Sequence, residues 1–223
     1  MRLILSSIFF LIFFVINVSV KSNEFEVKYN VKTSGIIIGN LKWNLKIKEG
    51  KYISEINLKS SGIFSALHNF HGEYHANGIL KDNIFEVQEY KQKWKTRQKS
   101  RTIEMSFDNY LKKLSQEPVE KEKSRVDLYD LFKYFDPTSS FLSILNGAKS
   151  VNTIDGRRIY TMKKSGFDNH EKVVLEIENY KNIWADHKRN DLEKIEFKKQ
   201  KNNFLPENII IYFKKRVFKL KKI

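Results

Sequence analysis

An alternation of apolar and polar side chains between residues 24 and 48 limits the fold of this chain more than any other feature. The apolar residues of the first half are Phe25, Val27, Tyr29 and Val31, and after Ser34-Gly35 the pattern resumes with Leu41, Trp43, Leu45 and Ile47. Successive side chains of a β-strand point to opposite faces, so each half is predicted to be a strand with one apolar face. Two strands cannot cover such faces alone, and a larger sheet or a barrel is therefore needed.

Similar stretches recur along the rest of the chain and predict about ten strands, at the spacing of a sandwich or barrel. Asp155-Gly156 is a tight hairpin signal between two of them. Residues 111–123 are polar and contain a proline, so they are predicted to form a surface loop. The predicted fold class is mainly β, a curved antiparallel sheet or (half-)barrel formed by one domain over residues 23–223.

A short helical insertion is predicted near residues 126–146. Leu128, Leu131 and Phe135 have the spacing of one helix face, and Asp136-Pro137 then ends that helix and begins a second one. Asp136 is suited to cap the exposed amides of the second helix, and proline is favoured in its first turn. The apolar face of this second helix is predicted to consist of Phe141, Leu142 and Leu145.

The N-terminus predicts export. Met1-Arg2 precedes an almost wholly apolar run that reaches Val20, and small residues suited to a signal peptidase follow near Ser22. Residues 1–22 are therefore interpreted as a secretory signal peptide, with an uncleaved membrane anchor as the alternative. We expect the protein in the periplasm of a Gram-negative bacterium.

Composition narrows the classes of function. The chain has no cysteine, which excludes disulfides, thiol nucleophiles and thiolate metal sites. A net charge of +15 favours anionic partners, such as phospholipid headgroups or acidic envelope polymers, although lysine is also an ordinary solvated surface residue. Export argues against nucleic acid as the partner.

Three motifs occur in a fixed order along the predicted mature chain. They consist of Tyr29, Val31, Ser34, Gly35 and Gly39, then Asp136, Pro137, Ser139, Ile144 and Leu145, and then Asp155, Gly156 and Tyr160. In this order the chain resembles the bacterial exported proteins of domain-of-unknown-function family 3108. The resemblance implies a curved antiparallel sheet in the cell envelope, similar to half-barrels that carry lipids or lipoproteins through the periplasm. It implies no catalytic residue.

The concave apolar face of such a sheet predicts a binding or carrier module for an apolar or lipid-like ligand, with the helices as a plug or lid. The predicted walls of the ligand groove are Val27, Tyr29, Val31, Trp43, Leu45, Phe141 and Leu145. The alternative is an envelope interaction or assembly protein with a solid core. No residue pattern predicts a cofactor or a catalytic centre, so the protein is not expected to be an enzyme.

A cationic stretch is the second candidate site. Its members occupy odd positions and are Lys91, Lys93, Lys95, Arg97, Lys99 and Arg101. A hairpin near residues 96–99 would gather them at one basic rim, where they are predicted either to contact anionic lipid or to protect a hydrated sheet edge from aggregation. The C-terminal candidates to extend this rim are Lys214, Lys215, Arg216, Lys219, Lys221 and Lys222.

Other polar clusters have simpler interpretations. His71, Glu73 and His75 share one strand face, but neighbours on that face are about 7 Å apart, which is wide for a single metal site. We interpret them as a solvated face and predict no metal. Asp127 and Asp130 are predicted to lie on the exposed side of their helix.

Overall fold

A computed structural model describes residues 22–168, 172–186, 189–200 and 203–223. The predicted signal peptide lies outside these residues, apart from Ser22. The first seven strands are β1 (Asn23–Thr33), β2 (Ile36–Lys48), β3 (Lys51–Ser60), β4 (His71–Lys81), β5 (Ile84–Lys95), β6 (Ser100–Asp108) and β7 (Lys113–Glu117). The other six are β8 (Ser150–Ile154), β9 (Arg158–Asp168), β10 (Lys172–Asn182), β11 (Leu192–Lys198), β12 (Asn208–Phe213) and β13 (Arg216–Lys222).

All of these strands belong to one antiparallel sheet, in the order β7-β6-β5-β4-β3-β2-β1-β13-β12-β11-β10-β9-β8. The prediction of a mainly β, single-sheet fold is confirmed. The alternation in β1 and β2 determines which face is buried, because Val27 lies opposite Trp43 and Phe25 lies opposite Leu45 on the inner face. The intervening charged residues lie on the outer face.

The sheet has thirteen described strands rather than about ten. The predicted loop over residues 111–123 contains β7, which forms one end of the sheet and therefore needs no apolar alternation. Residues 209–220, whose sequence predicts one final strand, form a hairpin instead, because Phe213 pairs with Arg216 around a Lys214-Lys215 turn. Neither lysine is a turn-forming residue, so the sequence contains no sign of this reversal.

Two α-helices and one 3₁₀ helix accompany the sheet. Helix α1 spans Gly62–His68 and helix α2 spans Pro137–Leu145. The predicted first helix of the insertion is wrong as an α-helix, since only a short 3₁₀ helix forms at Tyr129–Lys133. The second is confirmed, with Asp136 accepting hydrogen bonds from the Thr138 and Ser139 amides. No helix in the described ranges is long and apolar enough to cross a bilayer.

The two end strands, β7 and β8, do not pair, so the barrel has a seam. Glu120 lies at this seam and forms ion pairs with Arg101 of β6 and with Arg157 of the β8–β9 turn, the latter at 3.7 Å from Nε to Oε1. Phe135 forms an isolated parallel bridge with Thr153 of β8. The two ends of the sheet are therefore held together by side chains and by the segment before α2, and not by hydrogen bonds between strands.

Replacing Glu120 with glutamine is expected to lower the free energy of unfolding by about 1 kcal/mol, because two half-buried guanidinium groups lose their shared carboxylate. Urea unfolding monitored by circular dichroism measures the change. Glu178→Gln is the matched control, since the exposed Glu178–Lys163 pair on β9 and β10 is expected to contribute little. Equal effects of the two substitutions would contradict a role for Glu120 at the seam.

Candidate functional site

The inner face of the sheet encloses an apolar cavity of about 370 Å³. Its aliphatic and aromatic walls come from strands on both sides of the barrel and from α2. These wall residues include Leu41, Trp43, Ile56, Leu58, Tyr74, Tyr90, Phe141, Tyr160, Met162, Leu192, Ile195, Ile209, Ile211, Phe213 and Leu220. A volume of this size lies in the range of small-molecule binding pockets.

The segment before β12 is packed into the core and contributes no residue to the cavity wall. Phe204 packs against Phe25 and Phe85 with ring centroids 5.6 and 5.8 Å apart, and Leu205 is fully buried. The Tyr29 hydroxyl donates a hydrogen bond of 2.6 Å to the Pro206 carbonyl, which fixes the segment in place.

One end of the cavity, here called the open end, faces solvent. Leu41, Leu58 and Phe213 line the cavity there and are half-buried, whereas Trp43 and Ile209 deeper in the wall are buried. A ligand entering the cavity would therefore pass Leu41, Leu58 and Phe213.

Helix α2 lies inside the barrel and forms part of the cavity wall. Every residue from Thr138 to Leu145 is buried, including three serines. Polar groups buried in an apolar interior need hydrogen-bond partners, and the sheet provides them. Tyr52 and Ser139 join their hydroxyls at 2.6 Å, and the Ser143 hydroxyl accepts a hydrogen bond of 2.9 Å from the Phe85 amide. These contacts hold α2 against β3 and β5 in one position.

Asp136 is the most unusual polar group beside the cavity. Its Oδ1 caps α2, but its fully buried Oδ2 has no hydrogen-bond partner in the described structure. Burial raises the pKa of this carboxyl to about 6, and hydrogen bonds from Ser139 and Thr138 only partly oppose the rise. The ionised form of Asp136 is therefore destabilised in the folded protein.

The cavity wall contains one ion pair, between Asp155 and Arg158. The Arg158 Nη2 lies 2.5 Å from the Asp155 Oδ2, and Arg158 also donates to the Tyr180 hydroxyl at 3.3 Å. Burial opposes the charge on Arg158, but the Asp155 carboxylate outweighs it and raises the pKa of the guanidinium. The pair is a largely neutral polar spot in a mostly apolar wall, and both its residues line the cavity.

The predicted groove residues separate into two groups. Trp43 and Phe141 lie in the cavity wall, with ring centroids 5.9 Å apart. The other five are buried in the surrounding core and are Val27, Tyr29, Val31, Leu45 and Leu145. The other apolar wall residues on strands come from β2, β3, β4, β5, β9, β11, β12 and β13. Their apolar parity was visible in the sequence, although their convergence was not.

The predicted basic rim is divided between two faces. The hairpin near residues 96–99 is confirmed by a hydrogen bond of 2.7 Å from the Thr96 amide to the Lys99 carbonyl. Lys91, Lys93 and Lys95 lie on the outer face of β5, and Arg97 and Lys99 are exposed in the turn. Arg101 departs from the predicted arrangement, because it lies opposite Trp94 on the inner face and pairs with Glu120.

The smaller clusters lie where their patterns indicated. His71 and Glu73 share the outer face of β4 and join at 2.9 Å, while His75 lies 3.8 Å from Glu55. No group of three or more residues suited to bind a metal occurs in the part of the chain that is described. Asp127 and Asp130 are exposed, and the Asp127 carboxylate accepts a hydrogen bond from the Tyr129 amide.

A second recess adjoins the open end. It has a volume of about 720 Å³ and is lined by Arg189, Asn190, Asp191, Phe213, Lys214, Lys215, Arg216 and Phe218. Phe213 belongs to the walls of both spaces, so the recess adjoins the apolar cavity. The sequence singled out Lys214, Lys215 and Arg216 as cations, but it did not associate them with Arg189 or with a cavity.

Comparison with known proteins places the fold but not the function. The sequence matches no protein-family model and no curated protein. Among solved structures, the chain is similar to a β-barrel-like protein of domain of unknown function DUF1849 from Brucella abortus, with a TM-score of 0.55 and 11% identity. The similarity covers 92% of this chain and 98% of that one. At this identity the likeness shows a shared β-barrel-like fold.

Proposed function

We propose that this protein is a non-catalytic binding or carrier module of the cell envelope, and that it holds an apolar or lipid-like ligand inside the barrel. The observation that carries the proposal is the apolar cavity of about 370 Å³ with an open end. A protein that acted only through its outer surface would gain stability by filling this space, because packing contacts are lost around a void.

The size and shape of the cavity favour a single alkyl chain. Burying about ten methylenes would contribute about 8 kcal/mol, before the costs of ordering the ligand. The rigid attachment of α2 through Tyr52 and Ser143 supports a preformed site rather than one that assembles around the ligand. The fold shared with a β-barrel-like protein is compatible with this role.

The decisive variant is Ile56→Trp, which places an indole in the cavity wall. A neutral apolar fluorophore, N-phenyl-1-naphthylamine, is expected to bind the unmodified protein at one site, and the variant is expected to lose affinity by about tenfold or more because the indole occupies the ligand's space. Native mass spectrometry with lipid extraction, on protein purified from the envelope, tests for the natural ligand.

Ile53→Trp is the matched control. Ile53 lies on the same strand but on the outer face, where it is 45% exposed. This variant is expected to bind the fluorophore like the unmodified protein. Equal binding by all three proteins would contradict the proposal, because the fluorophore would then lie outside the cavity.

A further inference from the structure

We propose that the ligand is an anionic amphiphile, with its alkyl chain in the apolar cavity and its acidic headgroup in the recess formed by Arg189, Lys214, Lys215 and Arg216. The inference rests on the proposed function and adds the chemical class of the ligand. Neither the apolar cavity nor the recess would support this inference by itself. The two spaces meet at Phe213, which is the geometry that a molecule with one apolar and one charged end requires.

Arg216 is the cation best placed for the headgroup. Residues directly opposite each other in an antiparallel pair share a face of the sheet. Because Arg216 lies opposite Phe213, its side chain leaves the sheet on the same inner face as the cavity wall. Lys214 and Lys215 form the turn between these two residues and lie one step beyond the apolar wall.

Hydrogen bonds to backbone carbonyls, rather than ion pairs, hold the recess together. The Lys214 amide donates a hydrogen bond of 2.9 Å to the Asp191 carbonyl, and the Asn182 side chain donates one of 2.8 Å to the Arg189 carbonyl. These contacts bring the segment before β11 against the β12–β13 turn.

The charge of the recess is strongly positive. Four cations line it together with one acid, Asp191, which is half-buried. Within the described residues none of the four cations forms an ion pair, whereas Lys42, Lys46 and Lys91 on the outer face each pair with a glutamate. Cations left without carboxylates around an apolar opening complement a carboxylate, sulfate or phosphate headgroup.

The test compares three ligands with the same decyl chain and different headgroups, namely decanoate, 1-decanol and decyltrimethylammonium. Each displaces N-phenyl-1-naphthylamine from the full chain at pH 8 and low salt. Decanoate is expected to bind about tenfold or more tightly than decanol, and decyltrimethylammonium more weakly than either. Added sodium chloride is expected to reduce the preference for decanoate.

The triple variant Lys214→Gln, Lys215→Gln, Arg216→Gln is expected to lose the preference for decanoate while its affinity for decanol stays unchanged. Unchanged decanol binding also shows that the variant is folded. The control Lys91→Gln, Lys93→Gln, Lys95→Gln removes the same charge from the outer face of β5 and is expected to retain the preference.

Four outcomes would overturn the inference. Equal affinity for decanoate and decanol would leave the proposed function standing but refute an anionic headgroup. Equal loss in both triple variants would assign the preference to net charge rather than to the recess. An unchanged decanoate affinity in the recess variant, with loss of its binding to phosphatidylglycerol vesicles, would indicate a membrane contact instead. Binding of no decyl ligand would refute the ligand class and the proposed function together.

Discussion

Replacing Gly78 with alanine is expected to lower the free energy of unfolding by about 3 kcal/mol, because the added Cβ has no room. The ideal Cβ position lies 2.0 Å from the Glu86 carbonyl oxygen on β5 and 3.0 Å from the Tyr52 ring. The first neighbour is backbone, and the register of β4 against β5 shifts at this point, so relief requires the two strands to separate.

The same substitution also disturbs the cavity. Tyr52 is fully buried and holds Ser139 of α2, so pressure on its ring is transmitted to the helix that forms part of the cavity wall. Thermal unfolding followed by circular dichroism is expected to show a midpoint lower by about 6–12 °C. N-phenyl-1-naphthylamine affinity, measured below that midpoint, is expected to fall as well.

Gly72→Ala is the matched control on the same strand. Its new Cβ would meet ring atoms of Phe70 and Tyr74 at 3.0 and 3.1 Å, and these side chains can move. A loss below about 1 kcal/mol is expected. An equal loss at both positions would mean that glycine is needed along β4 in general, and not for the close approach to Glu86.

Protonation of Asp136 is expected to stabilise the folded protein by about 2.5 kcal/mol as the pH falls from 7.5 to 4. Its pKa is about 6 in the folded protein, against an ordinary value of 3.8. Between these values the folded state binds a proton that the unfolded state does not. The contribution is therefore fully present below about pH 4 and is lost as the pH rises through 6.

Asp136→Asn isolates this contribution, because asparagine preserves the α2 cap but does not titrate. Urea unfolding at several pH values is expected to show that the unmodified protein gains about 2.5 kcal/mol relative to the variant between pH 7.5 and 4. The buried tyrosines around the carboxyl, Tyr52, Tyr90 and Tyr160, have pKa values raised by burial, and thus stay neutral throughout this range.

Glu196→Gln provides a control of opposite sign. Burial opposes ionisation of Glu196, but hydrogen bonds from Lys194, Lys172 and Tyr212 outweigh it and lower the pKa. Its stabilising contribution is present above its ordinary pKa of 4.5 and is lost as the pH falls. A constant difference between the unmodified protein and Asp136→Asn at every pH would contradict the raised pKa of Asp136.

Local chemistry was enough to predict the main elements of this protein. The alternation around Val27 and Trp43 identified β1 and β2 and their buried faces, because a strand in a sheet with one wet side must separate its residues by parity. The Asp136-Pro137 pair identified the start of α2, because a cap satisfies amides of its own first turn. In each case the element is determined by residues that lie close to one another in the sequence.

Features that depend on distant residues were not predictable in this way. The polar strand β7 exists because β6 offers it a free edge, and nothing in its own residues required a strand. Arg101 does not lie in the predicted basic rim, because Lys95 pairs with Ser100. In this register the odd residues of β5 lie opposite the even residues of β6, and the two sets share the outer face. One pairing register thus moved a cation from the outer face to the inner one.

The candidate site shows the same division. Strand parity at Trp43 and helical spacing at Phe141 were sufficient to mark these residues as interior, since apolar side chains leave water whatever they pack against. Whether interior side chains fill the space or leave a cavity depends on how far the sheet curves and where α2 lies within it. The recess forms because the β12–β13 hairpin, which carries Lys214 and Arg216, contacts Asp191. These residues are far apart in the chain, and their contact follows from the register of the whole sheet.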